Sequence, residues 1–355
     1  MRYFNYLDKS AEEKLFYKLP TEFNKDSNYE ILRYVIGGLL YVPANKKEMI
    51  LKCINKEIKG IVSVAICLED AVGPYGEKEG IKNLEEIFQF IKENKINDLP
   101  LIFIRTKDIE QTKKIRHIID ENINFLKGLI IPKADSERIN QYMKFIKNIN
   151  YKDLKIMPII ESKEFVQYGI KDEYFKKLIK SLITYKESIL SIRIGVTDLL
   201  GLFGVRRDKE LTIYDNFIFN RFASDILSAV YDLDIPVSGG VSEFYNMSDS
   251  KILSTYIKEI KMDKFNGFIG KTIIHPMQLK VVQCMNAISY EDYKDAKSIL
   301  NSVETDNYVS ADIKGEKMNE VNPHLKWAKN IIVMSKVYGV LNKGVGFNEL
   351  YELSM

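Results

Sequence analysis

Eight short apolar runs pass along this 355-residue chain, each ending in a polar or glycine-rich signature. They fall at 39–42, 62–68, 101–104, 128–131, 156–160, 189–195, 235–238 and 267–274. Between them lie stretches with helical spacing, such as 46–59, where Met49, Ile50, Cys53, Ile54 and Ile58 share one face. Short apolar strands alternating with helices predict parallel βα units. Eight units, with no glycine-rich nucleotide fingerprint after the first, predict a closed barrel over an open doubly wound sheet. The expected fold is therefore α/β, a (β/α)8 TIM barrel over 37–285. An N-terminal extension precedes it over 1–36, and a C-terminal helical appendage follows over 286–355. A helix is expected over about 79–95, and another beginning near Ser136, a good N-cap. The appendage reads as helix, polar loop (304–316) and a last helix carrying Trp327, Ile331, Ile332 and Val333.

A hydrophobic content of 46% and a charged content of 28% are enough for a large core and argue against wholesale disorder. The 52 basic and 49 acidic residues leave a net charge of only +3, with lysines spread among glutamates. That balance predicts no nucleic-acid or membrane partner. No uninterrupted apolar run is long enough to span a bilayer, and the first residues lack the apolar core of a signal peptide. Cys53, Cys67 and Cys284 have neither zinc-site spacing nor the density of a disulfide scaffold, so a reducing cytoplasmic compartment is expected.

The strand endings carry the function. A charge placed just after a buried strand sits at the C-terminal rim, where TIM barrels keep their active sites. In order, the endings and nearby motifs are Tyr41-Val42-Pro43, Leu68-Glu69-Asp70-Ala71-Val72, Ile104-Arg105, Ile131-Pro132-Lys133, Ile160-Glu161-Ser162 and Gly195-Val196-Thr197-Asp198-Leu199. The last is Gly267-Phe268-Ile269-Gly270-Lys271 running through Ile274-His275-Pro276. Each piece alone is weak; seven in this order are specific. From about residue 39 to 338 the chain resembles the citrate lyase β-subunit-like proteins of the HpcH/HpaI aldolase superfamily. These are magnesium-dependent carbon–carbon bond lyases on a TIM barrel. The arrangement is most similar to the divergent branch found with tellurium-resistance and stress gene clusters.

The resemblance implies Mg2+ on Glu161 and Asp198. Elementary geometry agrees, since neighbouring strands lie about 4.8 Å apart and two rim carboxylates can share an ion. Magnesium is served by one or two carboxylates, with water and substrate oxygens completing its shell. Taken singly, either acid could instead be a cap or a surface ion pair. Arg105 matches the family arginine that holds a substrate carboxylate or keto oxygen, for which a planar fork of donors is suited. It could also pair within the barrel with Glu69 or Asp70. Of these two acids, alternation of side chains lets one face the ion; the resemblance gives them a supporting role, orienting the arginine and the ion's waters.

Three departures from the family pattern concern where acyl groups and carriers bind. Lys46-Lys47 stands where an arginine is common, and Gly239-Gly240 where Asp-Gly is common. Lys317-Met318-Asn319-Glu320 stands where Lys-Met-x-Asp reaches into a neighbouring subunit. Glu320 is the candidate to do that work one methylene longer, and a metal-bound water is the other candidate base. Gly239-Gly240 lies where TIM barrels often bind phosphate, or is a plain tight turn. His275 is a candidate substrate-binding residue or a structural histidine. The Gly270-Lys271-Thr272 tail fails as a P-loop, because Phe265 stands where its first glycine is required. Phe203, Arg206 and Arg207 sit in a loop after Asp198 that binds an anion or is merely solvated.

These readings converge on a magnesium-dependent carbon–carbon lyase or aldolase acting through an enolate on a small keto or hydroxy acid or its thioester. A homotrimer with the appendage at the subunit boundary is implied. The competing expectations are an acyl-thioester hydrolase or synthase on the same site, and a non-catalytic metabolite-binding subunit of a biosynthetic complex.

Overall fold

The computed structural model describes residues 1–151, 153–304, 309–311, 315, 316 and 318–354. Eight parallel strands form one sheet, in the order in which the chain supplies them. They are β1 (Gly38–Pro43), β2 (Ser63–Cys67), β3 (Leu101–Arg105), β4 (Leu126–Ile131), β5 (Lys155–Ile160), β6 (Ile192–Ile194), β7 (Val237–Ser238) and β8 (Lys271–Ile273). β8 pairs back onto β1, and a parallel bridge from Gly239 to Lys271 joins it to β7. The sheet thus closes into the expected TIM barrel. Nearly every strand residue is buried, as expected when one face meets the barrel interior and the other a helical layer.

Local chemistry explains where elements start and stop. The helix after β2 runs Gly73–Glu93, beginning six residues before its expected start. Glycine within the helix lets it pack closely on the barrel. A Cβ at Gly80 would lie 3.0 Å from Leu68 Cδ2 and 3.1 Å from Ala44 Cβ. The helix after β4 does begin at Ser136, but its cap is Asp135. Asp135 has extended backbone, and its carboxylate accepts from the Arg138 N–H at 2.8 Å. β8 is shorter than its apolar run because Gly267 and Gly270 adopt positive φ, of 86° and 75°. A Cβ at Gly270 would lie 2.6 Å from the Gly37 carbonyl oxygen, so this approach to β1 needs glycine.

A buried polar cluster ties the β7–β8 helix (Ser250–Phe265) to the barrel wall. Lys271 Nζ lies 2.7 Å from Asp263 Oδ2 and 3.0 Å from Glu259 Oε1. Arg207 pairs with Glu259, and Tyr214 donates to Asp263 Oδ1 at 2.7 Å. Burial works against the Lys271 charge, but Asp263 and Glu259 outweigh it and hold its pKa above the ordinary value.

The chain divides into two compact units, residues 36–279 and residues 1–35 with 280–355. In the second unit, helices Tyr29–Val35, Tyr290–Glu304 and Val321–Tyr338 pack together. Tyr3 donates to the Val35 carbonyl at 2.6 Å, and Tyr338 to that of Tyr34. The N-terminal and C-terminal segments therefore share one core. The last long helix buries Ala328, Ile331, Met334 and Val337 and leaves Trp327, Ile332 and Val333 half-buried. Most of the polar loop over 304–316, and Lys317 of the stretch before Glu320, lie outside the described residues. Among the described residues no helix is long and apolar enough to cross a membrane.

Candidate active site

The C-terminal ends of the strands open into a cavity of about 470 Å³. Tyr41, Arg105, Glu161, Arg193, Asp198 and Thr272 are among the residues that line it. Side-chain alternation explains this set. Tyr41 and Pro43 on β1, Cys67 on β2, Arg105 on β3, Ile159 on β5 with Glu161 just beyond, and Thr272 on β8 all fall on the inward parity.

Glu161 follows the last residue of β5 and is almost fully buried. Its Oε1 accepts the Lys133 backbone N–H at 2.8 Å. Its Oε2 lies over Gly195, where a Cβ would come within 1.9 Å. Glycine is therefore required at the end of β6 for this carboxylate to hold its place. Burial raises the Glu161 pKa to about 7; Arg105 opposes that rise, and Asp198 adds to it by like-charge repulsion. Asp198 stands in the first turn of the helix Val196–Leu202. The two oxygen donors thus face one cavity, and the repulsion between them is what a divalent cation would remove. This donor set fits magnesium, which needs few protein carboxylates. Among the described residues no group of three or more acidic, histidine or cysteine side chains forms a larger metal cage.

Arg105 pairs with Glu69 and lies 3.7 Å from Glu161 Oε1. Burial works against its charge, but Cys67, Tyr41, Glu69 and Glu161 outweigh burial and hold its pKa above the ordinary value. Glu69 is buried, and burial pushes its carboxyl above the ordinary range despite Arg105. Lys133 Nζ lies 3.7 Å from Glu69 and 3.8 Å from Asp70. Asp70 opens the turn after β2, is largely exposed, and lines the cavity mouth. Of the adjacent acids, then, Glu69 orients the arginine and Asp70 faces solvent.

The other expected site residues lie elsewhere. Gly239 and Gly240 do not line the cavity. A Cβ at Gly239 would meet the Asp263 carboxylate at 2.6 Å, and one at Gly240 would meet Val196 at 2.0 Å. Both glycines serve close packing at the end of β7. His275 stacks on Tyr245 at 4.5 Å between ring centroids, and its Nδ1 accepts the Met277 N–H at 3.2 Å. Burial lowers its pKa. Glu320 ends a short strand in the other unit, precedes the helix Val321–Tyr338 without a side-chain capping bond, and donates its N–H to His324 Nδ1 at 3.1 Å. In the other direction, Arg193 and Tyr41 line the cavity although the sequence singled out neither as a site residue. The available signal was an arginine at inward parity in an otherwise apolar strand.

A family model described as a C–C bond lyase of the TIM-barrel fold matches residues 30–340. No curated protein sequence gives a match. Among solved structures, the chain is similar to CitE from Mycobacterium tuberculosis in complex with magnesium, acetoacetate and coenzyme A. That likeness has a TM-score of 0.58 at 17% identity and covers 85% of this chain and 99% of that one. It is also similar to RipC from Yersinia pestis, with a TM-score of 0.50 at 16% identity over 71% of this chain and 95% of that one. At such identities the likeness is one of fold.

Proposed function

The chain belongs to the carbon–carbon bond lyase family of the TIM-barrel fold, and from that premise we propose that it is a magnesium-dependent lyase or aldolase. Its substrate is a small keto or hydroxy acid, or the thioester of one, cleaved through an enolate. One observation carries the reading: Glu161, Asp198 and Arg105, from three different strand ends, face a single cavity. Held by Glu161 and Asp198, the ion supplies polarisation of a keto or carboxylate oxygen and charge stabilisation for an enolate. Arg105, fixed by Glu69, presents its guanidinium to the substrate carboxylate. The Lys133 backbone N–H holds Glu161 in place at Oε1. Ile159, Ile194 and Ile274 give the cavity an apolar wall. The CitE complex holds acetoacetate and coenzyme A with magnesium, which supports both the free acid and the thioester as substrate forms. The protein acts in the cytoplasm as a homotrimer, with Glu320 of a neighbouring subunit supplying the base.

The test is a screen of 2-keto and 3-hydroxy acids, free and as thioesters, with and without magnesium. Cleavage that needs magnesium and is lost in Asp198→Ala is expected. Binding without turnover would favour a metabolite-binding subunit. Thioester hydrolysis without carbon–carbon cleavage would favour the hydrolase reading. Neither binding nor turnover in any magnesium condition would overturn the site.

A further inference from the structure

Glu243 is the cavity acid that the proposed chemistry leaves without a task. Asp70, Glu161, Asp198 and Glu243 are the acids that line the cavity. Glu161 and Asp198 would hold the ion, and Asp70 stands exposed at the mouth. Glu243 follows β7 by five residues. Val241 and Glu243 line the cavity and Ser242 between them does not, which is the alternation of an extended segment. The Glu243 side chain is 31% exposed, yet its Oε2 is shielded from solvent and accepts no hydrogen bond among the described residues. Arg206 Nε lies 3.7 Å from that oxygen, beyond hydrogen-bond reach, on a side chain that is itself exposed.

The backbone on both sides of Glu243 is fixed. The fully buried Gln278 donates through Nε2 to the carbonyls of Ser242 and Phe244, at 3.0 and 3.1 Å. Its Oε1 accepts the N–H groups of Ile274 and His275, at 2.9 and 3.2 Å, which ties the same side chain to the end of β8. Arg207 donates to the Val241 carbonyl at 2.6 Å. Such a frame is what a group that must meet a reacting atom requires. Among the described residues no three acidic, histidine or cysteine side chains form a group that could hold a metal, so Glu243 stands apart from the Glu161–Asp198 pair. β7 is four strands from β3, halfway round the closed barrel. A substrate whose carboxylate is held by Arg105 on β3 therefore presents its other end towards Glu243.

We propose that Glu243 is the catalytic residue that exchanges a proton with the α-carbon of the enolate. In cleavage, the hydroxyl proton leaves to its base, the O–H pair becomes the new carbonyl bond, and the C–C pair passes into the enolate. The enolate pair then forms a C–H bond with the proton of the Glu243 carboxyl, which is left as carboxylate. In the reverse direction the carboxylate takes that proton and the C–H pair becomes the enolate. One proton has left oxygen and one has reached carbon, so exchange with water restores both acids. A carboxylate oxygen shielded from solvent normally has a donor; this one has no hydrogen bond to break before it takes a proton. The inference rests on the reading of the Glu161–Asp198–Arg105 site given above.

The test follows deuterium exchange by NMR at the methyl groups of pyruvate and of an acetyl thioester, in D2O with and without magnesium. Wild-type protein is expected to exchange at least one of them only with magnesium. Glu243→Gln keeps the shape of the side chain and loses the proton acceptor. It should slow that exchange at least about 100-fold, with magnesium and oxalate affinities by calorimetry within about threefold of wild type. Glu243→Asp keeps the carboxylate but draws it back by one methylene, and should exchange more slowly than wild type and faster than Glu243→Gln. It carries the test if the glutamine variant does not fold, an undiminished rate then overturning the inference. Exchange that survives in Glu243→Gln overturns the inference and leaves the site reading intact; loss in Glu320→Ala alongside it assigns the carbon proton to Glu320. Wild-type protein that binds oxalate with magnesium but exchanges neither probe also overturns the inference alone. Exchange lost together with oxalate affinity in Glu243→Gln makes Glu243 a binding residue and overturns it likewise. Failure of oxalate, pyruvate and the thioester to bind with magnesium overturns the site reading and this inference together.

Discussion

Glu161 is the residue whose behaviour most directly tests the site. Burial lifts its pKa to about 7, so the neutral form is the favoured one in the metal-free protein at mildly acidic pH. An ion binds the carboxylate and must displace that proton. Magnesium affinity should therefore be flat above pH 7 and fall by up to about tenfold per pH unit below it. The sign for stability is the reverse. A raised carboxyl pKa stabilises the fold below the ordinary glutamate range, and that contribution is lost as pH rises through about 7. Melting curves across pH 4–8, with and without magnesium, check both, and Glu161→Gln should remove both dependences. Asp198→Ala should abolish magnesium binding while the protein stays folded, because Asp198 is a half-buried rim residue. Arg105→Lys keeps the charge but loses the fork, and should weaken oxalate binding about 10- to 100-fold with magnesium affinity nearly unchanged. Equal oxalate affinity would make Arg105 an internal partner of Glu69 only.

At the scale of elements, two close contacts decide whether the rim is built at all. Gly195 follows β6 because Glu161 occupies the space a side chain there would need. Gly195→Ala should displace that carboxylate, costing about 1–3 kcal/mol of stability and most of the magnesium affinity. Unchanged affinity by calorimetry would mean that Glu161 is not a ligand. β8 and the helix Ser250–Phe265 meet through Lys271, whose two acid partners are buried with it. Lys271→Met leaves Glu259 with Arg207 and leaves Asp263 with the Tyr214 hydroxyl but no cation, and should cost about 3–5 kcal/mol in urea unfolding. A loss below that range would mean the acids find protons or water instead.

For the whole molecule, the prediction concerns assembly. If Glu320 completes a neighbour's site in a trimer, neither Asp198→Ala nor Glu320→Ala is active alone. A mixture that exchanges subunits should recover about a quarter of the sites by random combination. No recovery between two folded variants that demonstrably exchange would remove Glu320 from the site. A monomer in light scattering would do the same.

The number, order and parallel pairing of the barrel strands were legible in the sequence, because period and length mark buried strands locally. So was the gathering of Arg105, Glu161 and Asp198, since a charge closing a buried strand has one place to go in a closed barrel. Side-chain alternation left Glu69 and Asp70 undecided; the structure turns Glu69 onto Arg105 and leaves Asp70 at the mouth. Gly239, Gly240 and His275 sat at strand ends like the others, yet Asp263, Val196 and Tyr245 take up the space around them. Arg193 was not legible as a cavity residue, because its partners Thr272 and Tyr41 come from strands far away in the chain. Local sequence determines which way a side chain points along its own strand. Only closure of the sheet decides which side chains from distant strands then share one cavity, and whether their charges balance there.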